Sequence, residues 1–151
     1  MAPNPTSWGW WRQVNTPIVD YLAKNHSKYL IMAHLILVCK YRKRLLAPFG
    51  DQVKLLMTDI AREYGFTITE METDKDHIHL LVNYPPTLSL LQIVRLLKQI
   101  TTYRLWRTSR IANYLSKCLW KEHTFWSDGY FACSIGNANS TTIQNYIRNQ
   151  G

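Results

Sequence analysis

The segment from Asp76 to Val82, with the sequence DHIHLLV, constrains the fold of this chain more than any other. It is an apolar run interrupted by two histidines two residues apart. In a β-strand such residues share a face, so His77 and His79 would point one way while Ile78 and Leu80 point the other. Two imidazoles on one face suit a metal ion, but they are equally compatible with a packed, hydrogen-bonded strand face. These residues alone leave both possibilities open.

The rest of the chain predicts strands and helices on both sides of this segment. The expected elements are a strand 29–40, a helix 48–64, a strand 66–69 followed by a bulge over 70–72, a turn 74–76, the histidine strand 77–83, a helix from 88 to about 107, a segment 107–121 that is either a short helix or a loop, a strand 129–135 and a terminal helix 141–150. This order lacks the strict strand-helix alternation of a parallel sheet. It predicts an α+β fold, with a ferredoxin-like or RRM-like antiparallel sheet and helices mainly on one face.

Length and composition indicate one domain, because 151 residues with 46% hydrophobic content can bury a sizeable core. We expect residues 26–151 to form it and residues 1–25 to be an extension. Three tryptophans in that extension, at positions 8, 10 and 11, would stack on nucleobases or pack on the domain or a second subunit. No apolar stretch approaches the length of a membrane helix and no signal peptide is recognisable, so a cytoplasmic location is expected.

The net charge of +8 is unevenly distributed. Seven of the ten acidic residues lie between Asp51 and Asp76, whereas the stretch from His77 to Lys121 contains none. The same stretch contains several lysines and arginines and is therefore strongly basic. A basic stretch is often only a solvated face, but one that directly follows a candidate metal strand favours a phosphate-bearing partner. The candidate DNA contacts are Lys40, Arg42, Lys43, Arg44, Arg95, Lys98, Arg104 and Arg148.

Near the end of the chain, Tyr146 and Gln150 stand four residues apart and would share one face of the terminal helix. Such a pair is common on ordinary helices, but it gains a chemical meaning beside His77 and His79. Two imidazole nitrogens and one amide oxygen would hold Mg²⁺ or Mn²⁺ and leave positions open for phosphate oxygens and water. The phenolic oxygen of Tyr146 would then be a nucleophile.

The chain resembles the single-tyrosine HUH transposases, of the TnpA type, from insertion sequences that move as single-stranded DNA. The resemblance covers roughly residues 28–150. The matching segments are the HUH motif at 77–82, the sequence NYPP at 83–86, the sequence WSDGYF at 126–131, the nucleophile helix at 146–150 and the first strand with its basic exit at 34–46.

This resemblance implies a DNA transposase with His77, His79 and Gln150 as ligands of a divalent metal, Mg²⁺ or Mn²⁺. Tyr146 would be the nucleophile, carried on the C-terminal helix, and would leave a 5′-phosphotyrosine and a free 3′-hydroxyl. The resemblance also implies a homodimer in which the histidines of one subunit face the tyrosine helix of the other. The DNA would be single-stranded with subterminal hairpins.

Two alternatives remain open at the level of sequence. A domesticated relative would process chromosomal repeat hairpins without mobilising its own gene. A non-catalytic RRM-like module would need only aromatic and basic residues, but its strands should carry an aromatic RNP signature, and no convincing match is present.

Overall fold

The computed structural model describes residues 22–24 and 27–135, and side chains from residue 29 onward. Within these ranges the elements are β1 (Leu22–Lys24), β2 (Ser27–Tyr29), β3 (Met32–Val38), α1 (Leu46–Tyr64), β4 (Thr67–Thr73), β5 (His77–Asn83), α2 (Leu90–Arg107), α3 (Ser109–Leu119) and β6 (Phe131–Ile135). The predicted terminal helix 141–150 lies outside the described residues. None of the described helices is long and apolar enough to span a membrane.

Four strands form one sheet in the order β4-β5-β3-β6, and every neighbouring pair is antiparallel. With α1 between β3 and β4, and α2 and α3 between β5 and β6, this is the ferredoxin-like arrangement. The predicted α+β antiparallel fold is therefore confirmed. A separate two-stranded ladder joins β1 to β2. The expected boundary between residues 25 and 26 falls between these two short strands.

The central pair of the sheet, β3 and β5, separates the two faces. The strands pair along their whole length, from Met32 opposite Asn83 to Val38 opposite His77. The side chains on one face are buried in the core shared with the helices, and they are Ala33, Leu35, Leu37, Ile78, Leu80 and Val82. Because successive side chains alternate, His77 and His79 lie on the opposite face.

Strand β4 contains a bulge, but one residue before the segment 70–72 in which the sequence predicts it. Its pairing with β5 shifts between Ile68 and Glu70, so that Thr69 has no partner in the ladder. The Thr69 hydroxyl instead donates a hydrogen bond to the Leu81 carbonyl at 3.2 Å. The extra residue reverses the alternation of faces, and for this reason both Ile68 and Met71 pack against the core.

Helix α1 begins at Leu46, two residues before the predicted start, and ends as predicted at Gly65. Gly65 has a φ of 82°, a left-handed conformation that glycine adopts without a steric penalty, and its N–H is bonded to the Ala61 carbonyl. Helix α2 begins after Ser89, which forms a capping box with Gln92.

Leu91 and Tyr103 fit the apolar helical spacing of α2, but they are 42% and 59% exposed. The buried stripe instead continues from Leu97 through Thr101 to Leu105. Thr101 can occupy a core position because its hydroxyl is fully bonded. It donates to the Leu97 carbonyl at 2.6 Å and accepts from Trp126 Nε1 at 2.8 Å.

We expect Thr101→Val to lower the free energy of unfolding by about 1–3 kcal/mol, because the buried Trp126 N–H loses its acceptor while the side-chain volume is unchanged. Thr102→Val is the matched control, since the Thr102 hydroxyl bonds the Lys98 carbonyl at a half-buried position. Urea unfolding of the two variants measures the difference. Equal stability of both variants would contradict the role given to this hydrogen bond.

Candidate functional site

His77 and His79 lie side by side on the sheet face opposite to the one on which α1, α2 and α3 pack. Their ring centroids are 4.9 Å apart and the ring planes are inclined by 70°. His79 is 9% exposed, and the His77 side chain is 18% exposed. The predicted orientation of this pair is confirmed.

Asp76 holds the His77 ring in place. Its Oδ1 lies 2.7 Å from His77 Nδ1, and its Oδ2 accepts from Arg42 Nε at 3.2 Å. Burial by itself would raise the pKa of the Asp76 carboxyl, but the hydrogen bonds to His77 and Arg42 lower the pKa below its ordinary value. An ionised carboxylate only accepts, so His77 donates from Nδ1, and Nε2 is the ring nitrogen that remains for another partner.

Arg42 reaches Asp76 from a single turn at Lys40–Arg42 that follows β3. Tyr41 and Arg42 both have left-handed backbones, with φ values of 57° and 53°. Two such residues cost roughly 1–3 kcal/mol each. Contacts to distant residues hold the turn, namely Arg42 with Asp76 and the Tyr41 hydroxyl with Glu122 at 2.7 Å. The basic turn Lys40–Arg42, which follows β3, is therefore fixed beside the histidine strand β5.

A third histidine, His34 of β3, belongs to the same face, and sequence reasoning missed it. It is fully buried, and its Nε2 lies 3.4 Å from His79 Nδ1. Burial, and secondarily the charge of His79, lowers the pKa of His34 to about 4. Burial, and secondarily the charge of His77, lowers the pKa of His79 to about 4. Both rings are thus neutral at physiological pH. The sequence did contain a signal for His34. Ala33, Leu35 and Leu37 of β3 alternate with it and face the core, so His34 must lie on the opposite face, which is the histidine face once β3 pairs with β5.

Two acids of β4 border this face. Glu72 pairs with His79 in the ladder, and Glu70 pairs with Leu81. Burial, together with the nearby Glu72, raises the pKa of Glu70. Over residues 22–24 and 27–135, no group of three His, Cys, Asp or Glu side chains is arranged to hold a metal ion. The predicted nucleophile Tyr146, the predicted ligand Gln150 and the predicted DNA contact Arg148 lie outside the described residues.

The remaining predicted DNA contacts fall into two groups. Lys43, Arg44 and Arg95 are exposed. Lys40 and Arg104 are engaged in ion pairs, with Asp128 at 3.5 Å and with Glu63 at 3.4 Å. Their contacts with DNA stay predictions.

Lys98 has a structural task within the domain. Its ammonium group donates to the carbonyls of Ser127, Asp128 and Gly129 at 2.7, 3.0 and 2.8 Å. Chiefly through burial, the pKa of Lys98 is lowered. These three bonds fasten the loop before β6 to α2, and any contact of Lys98 with DNA stays a prediction.

Comparison with known proteins agrees with this fold. The family model described as "Transposase IS200 like" matches residues 27–150. The ISDra2 transposase TnpA of Deinococcus radiodurans is 29% identical over 123 residues, which cover 81% of this chain and 85% of the relative. The transposase for insertion sequence element IS200 of Salmonella typhimurium is 26% identical over 128 residues, which cover 83% of this chain and 80% of the relative.

Among solved structures, a crystal structure of a protein from Deinococcus radiodurans R1, classed as a transposase, superimposes with a TM-score of 0.65 and 26% identity. The superposition covers 85% of this chain and 96% of that one. The family model and these relatives thus define a transposase, an enzyme that cleaves and transfers DNA strands. The chain belongs to the IS200-like transposase family.

We expect His34 and His79 to titrate near pH 4 in the metal-free protein, well below the ordinary value of 6.5. Because the folded-state pKa is lowered, the unfolded chain binds more protons between these two values. The stability that the two neutral rings contribute is therefore fully present above about pH 6.5. The free energy of unfolding falls as the pH drops from 6.5 toward 4. NMR titration of the imidazoles, with a chelator present, and urea unfolding at both ends of this range measure the effect. The exposed His123 provides the control, since His123→Gln should leave the decline intact. If both buried rings titrated near pH 6.5 in the folded protein, the prediction would be contradicted.

Proposed function

We propose that this transposase cleaves and rejoins single-stranded DNA at insertion-sequence ends through a 5′-phosphotyrosine on Tyr146, with a divalent metal. The observation that carries the proposal is the His77 and His79 pair, set on one sheet face with Asp76 bonded to His77. A module that only binds nucleic acid needs no such arrangement. Membership of a transposase family supplies the chemical context.

The described residues fit a metal ion on two counts. His79 is kept neutral by burial, and a neutral imidazole is the form that coordinates. His77 is bonded to Asp76 through Nδ1, which leaves Nε2 as the donor atom. His77, His79 and Gln150 would hold Mg²⁺ or Mn²⁺, and the bound ion would polarise the scissile phosphate as a Lewis acid.

The bond chemistry falls to Tyr146. Its phenolic oxygen would form a bond to phosphorus as the bond from phosphorus to the 3′-oxygen breaks. The phenol loses its proton, and the departing 3′-oxygen gains one. The phosphotyrosine retains the energy of the broken bond, so a 3′-hydroxyl of another strand can reverse the step without ATP.

The partner would be single-stranded DNA with subterminal hairpins, bound by a homodimer with composite sites. The fixed basic turn supports this proposal, since Arg42 connects it directly to the residue that orients His77. Lys43 and Arg44 stand exposed next to that turn and would contact phosphates near the metal.

Tyr146→Phe should abolish covalent protein–DNA adducts, because it removes the oxygen that attacks phosphorus. Binding to a hairpin-bearing single strand should remain close to wild type. Denaturing gel electrophoresis with a labelled strand and Mn²⁺ detects the adduct, and Tyr64→Phe, at an exposed tyrosine of α1, is the control. Full adduct formation by the Tyr146→Phe protein would refute the assignment of the nucleophile.

Replacing both His77 and His79 with Ala should eliminate metal-dependent cleavage. Asp76→Asn should weaken Mn²⁺ binding by roughly 10–100-fold, because the His77 ring loses the carboxylate that sets its tautomer. Isothermal titration with Mn²⁺ measures this binding independently of activity, and Asp51→Asn, an exposed acid of α1, is the matched control. Unchanged metal-dependent cleavage by the double histidine variant would exclude this metal site.

A further inference from the structure

A groove of about 660 Å³ lies between the C-terminal half of α2 and the segment 123–128. Helix α2 packs on the core face of the sheet, so the groove and the histidines lie on opposite sides of the sheet. Its volume is within the range of roughly 300–1,000 Å³ that is usual for ligand sites. The assigned catalytic residues do not take part in it.

Flat aromatic rings line this groove and are held rigidly. The Trp106 ring stacks on His123 with centroids 4.4 Å apart and planes inclined by only 5°. Trp106 Nε1 donates to the Thr124 carbonyl at 2.8 Å, which fixes the plane of the indole. One turn earlier on α2, Tyr103 is 59% exposed although it is aromatic. Preorganised rings at an open surface are the feature on which unpaired nucleobases stack.

The charges beside these rings favour an anionic occupant. Arg107 Nη1 donates to the Tyr103 hydroxyl at 2.6 Å, and its guanidinium lies 5.3 Å from the centre of the Tyr103 ring. Lys98 adds a second cation, although its three hydrogens are bonded to loop carbonyls. Asp128 is the one acid among the residues that line the groove, and its carboxylate pairs with Lys40. Flat rings next to a guanidinium match a base attached to a phosphate.

We propose that this groove binds an unpaired nucleobase of the DNA substrate, with the base stacked against Tyr103 and the Trp106–His123 pair and a neighbouring phosphate beside Arg107. The inference depends on the proposed function for the identity of the substrate as single-stranded DNA. It assigns base recognition to the helical side of the sheet, apart from strand cleavage on the other side.

Fluorescence anisotropy with a labelled oligothymidylate of about 12 nucleotides, measured on the full chain in EDTA, tests the proposal. Replacing both Tyr103 and His123 with Ala should weaken binding roughly tenfold to a hundredfold. Both residues are exposed, and thermal unfolding verifies that the variant is folded. Tyr64→Ala is the matched control for loss of an exposed tyrosine, and Tyr103→Phe should bind almost as the wild type does because the ring remains.

A second strand, in which abasic units replace the central thymidines, separates base recognition from phosphate attraction. Wild-type protein should bind it more weakly, and the Tyr103 and His123 replacements should then have no additional effect. Equal affinity for the two strands would overturn the proposal, as would unchanged oligothymidylate binding by the double variant. These measurements involve no cleavage, so they stand even if Tyr146→Phe shows the proposed chemistry to be wrong.

Discussion

The pairing of β3 with β5 is the interaction on which the rest of the structure depends. These two strands occupy the middle of the sheet, and their seven paired positions fix which side chains face the helices. A shift of one residue would place His77 and His79 in the core and expose Ile78 and Leu80. Ile78 and Leu80 are fully buried in the core. Their burial therefore fixes His77 and His79 on the opposite face.

The chemistry of that face depends on two opposite ways of controlling an imidazole. His77 is near the surface and is oriented by an ionised carboxylate that Arg42 also contacts. His34 and His79 are kept neutral by exclusion from water. An oriented ring and neutral rings on the same face are suited to metal coordination, because coordination requires both a free lone pair and a fixed direction.

The two proposed activities are located on opposite sides of the sheet. Strand cleavage is assigned to the histidine face, and base recognition to the groove next to α2. The segment 123–128 joins the central strand to α2, since Trp126 bridges to Cys39 at the end of β3 and also bonds Thr101 of α2. Lys98 fastens the residues that follow, up to Gly129. The groove wall is thus fixed to the central strand that adjoins the histidine strand.

The sequence by itself determined features that depend on local periodicity. The alternation around His77 and His79 predicted their common face, the helical spacing and Gly65 predicted the end of α1, and the change of phase at 70–72 predicted a bulge, which the structure places one residue earlier, at Thr69. Local patterns carry this information because residues two apart in a strand, or three to four apart in a helix, share a face in any fold. The tertiary structure decided the contacts between distant residues: His34 with His79, Arg42 with Asp76, and Lys98 with the loop before β6. No local pattern contains these contacts, since each requires the strand register and helix packing that only the folded chain provides.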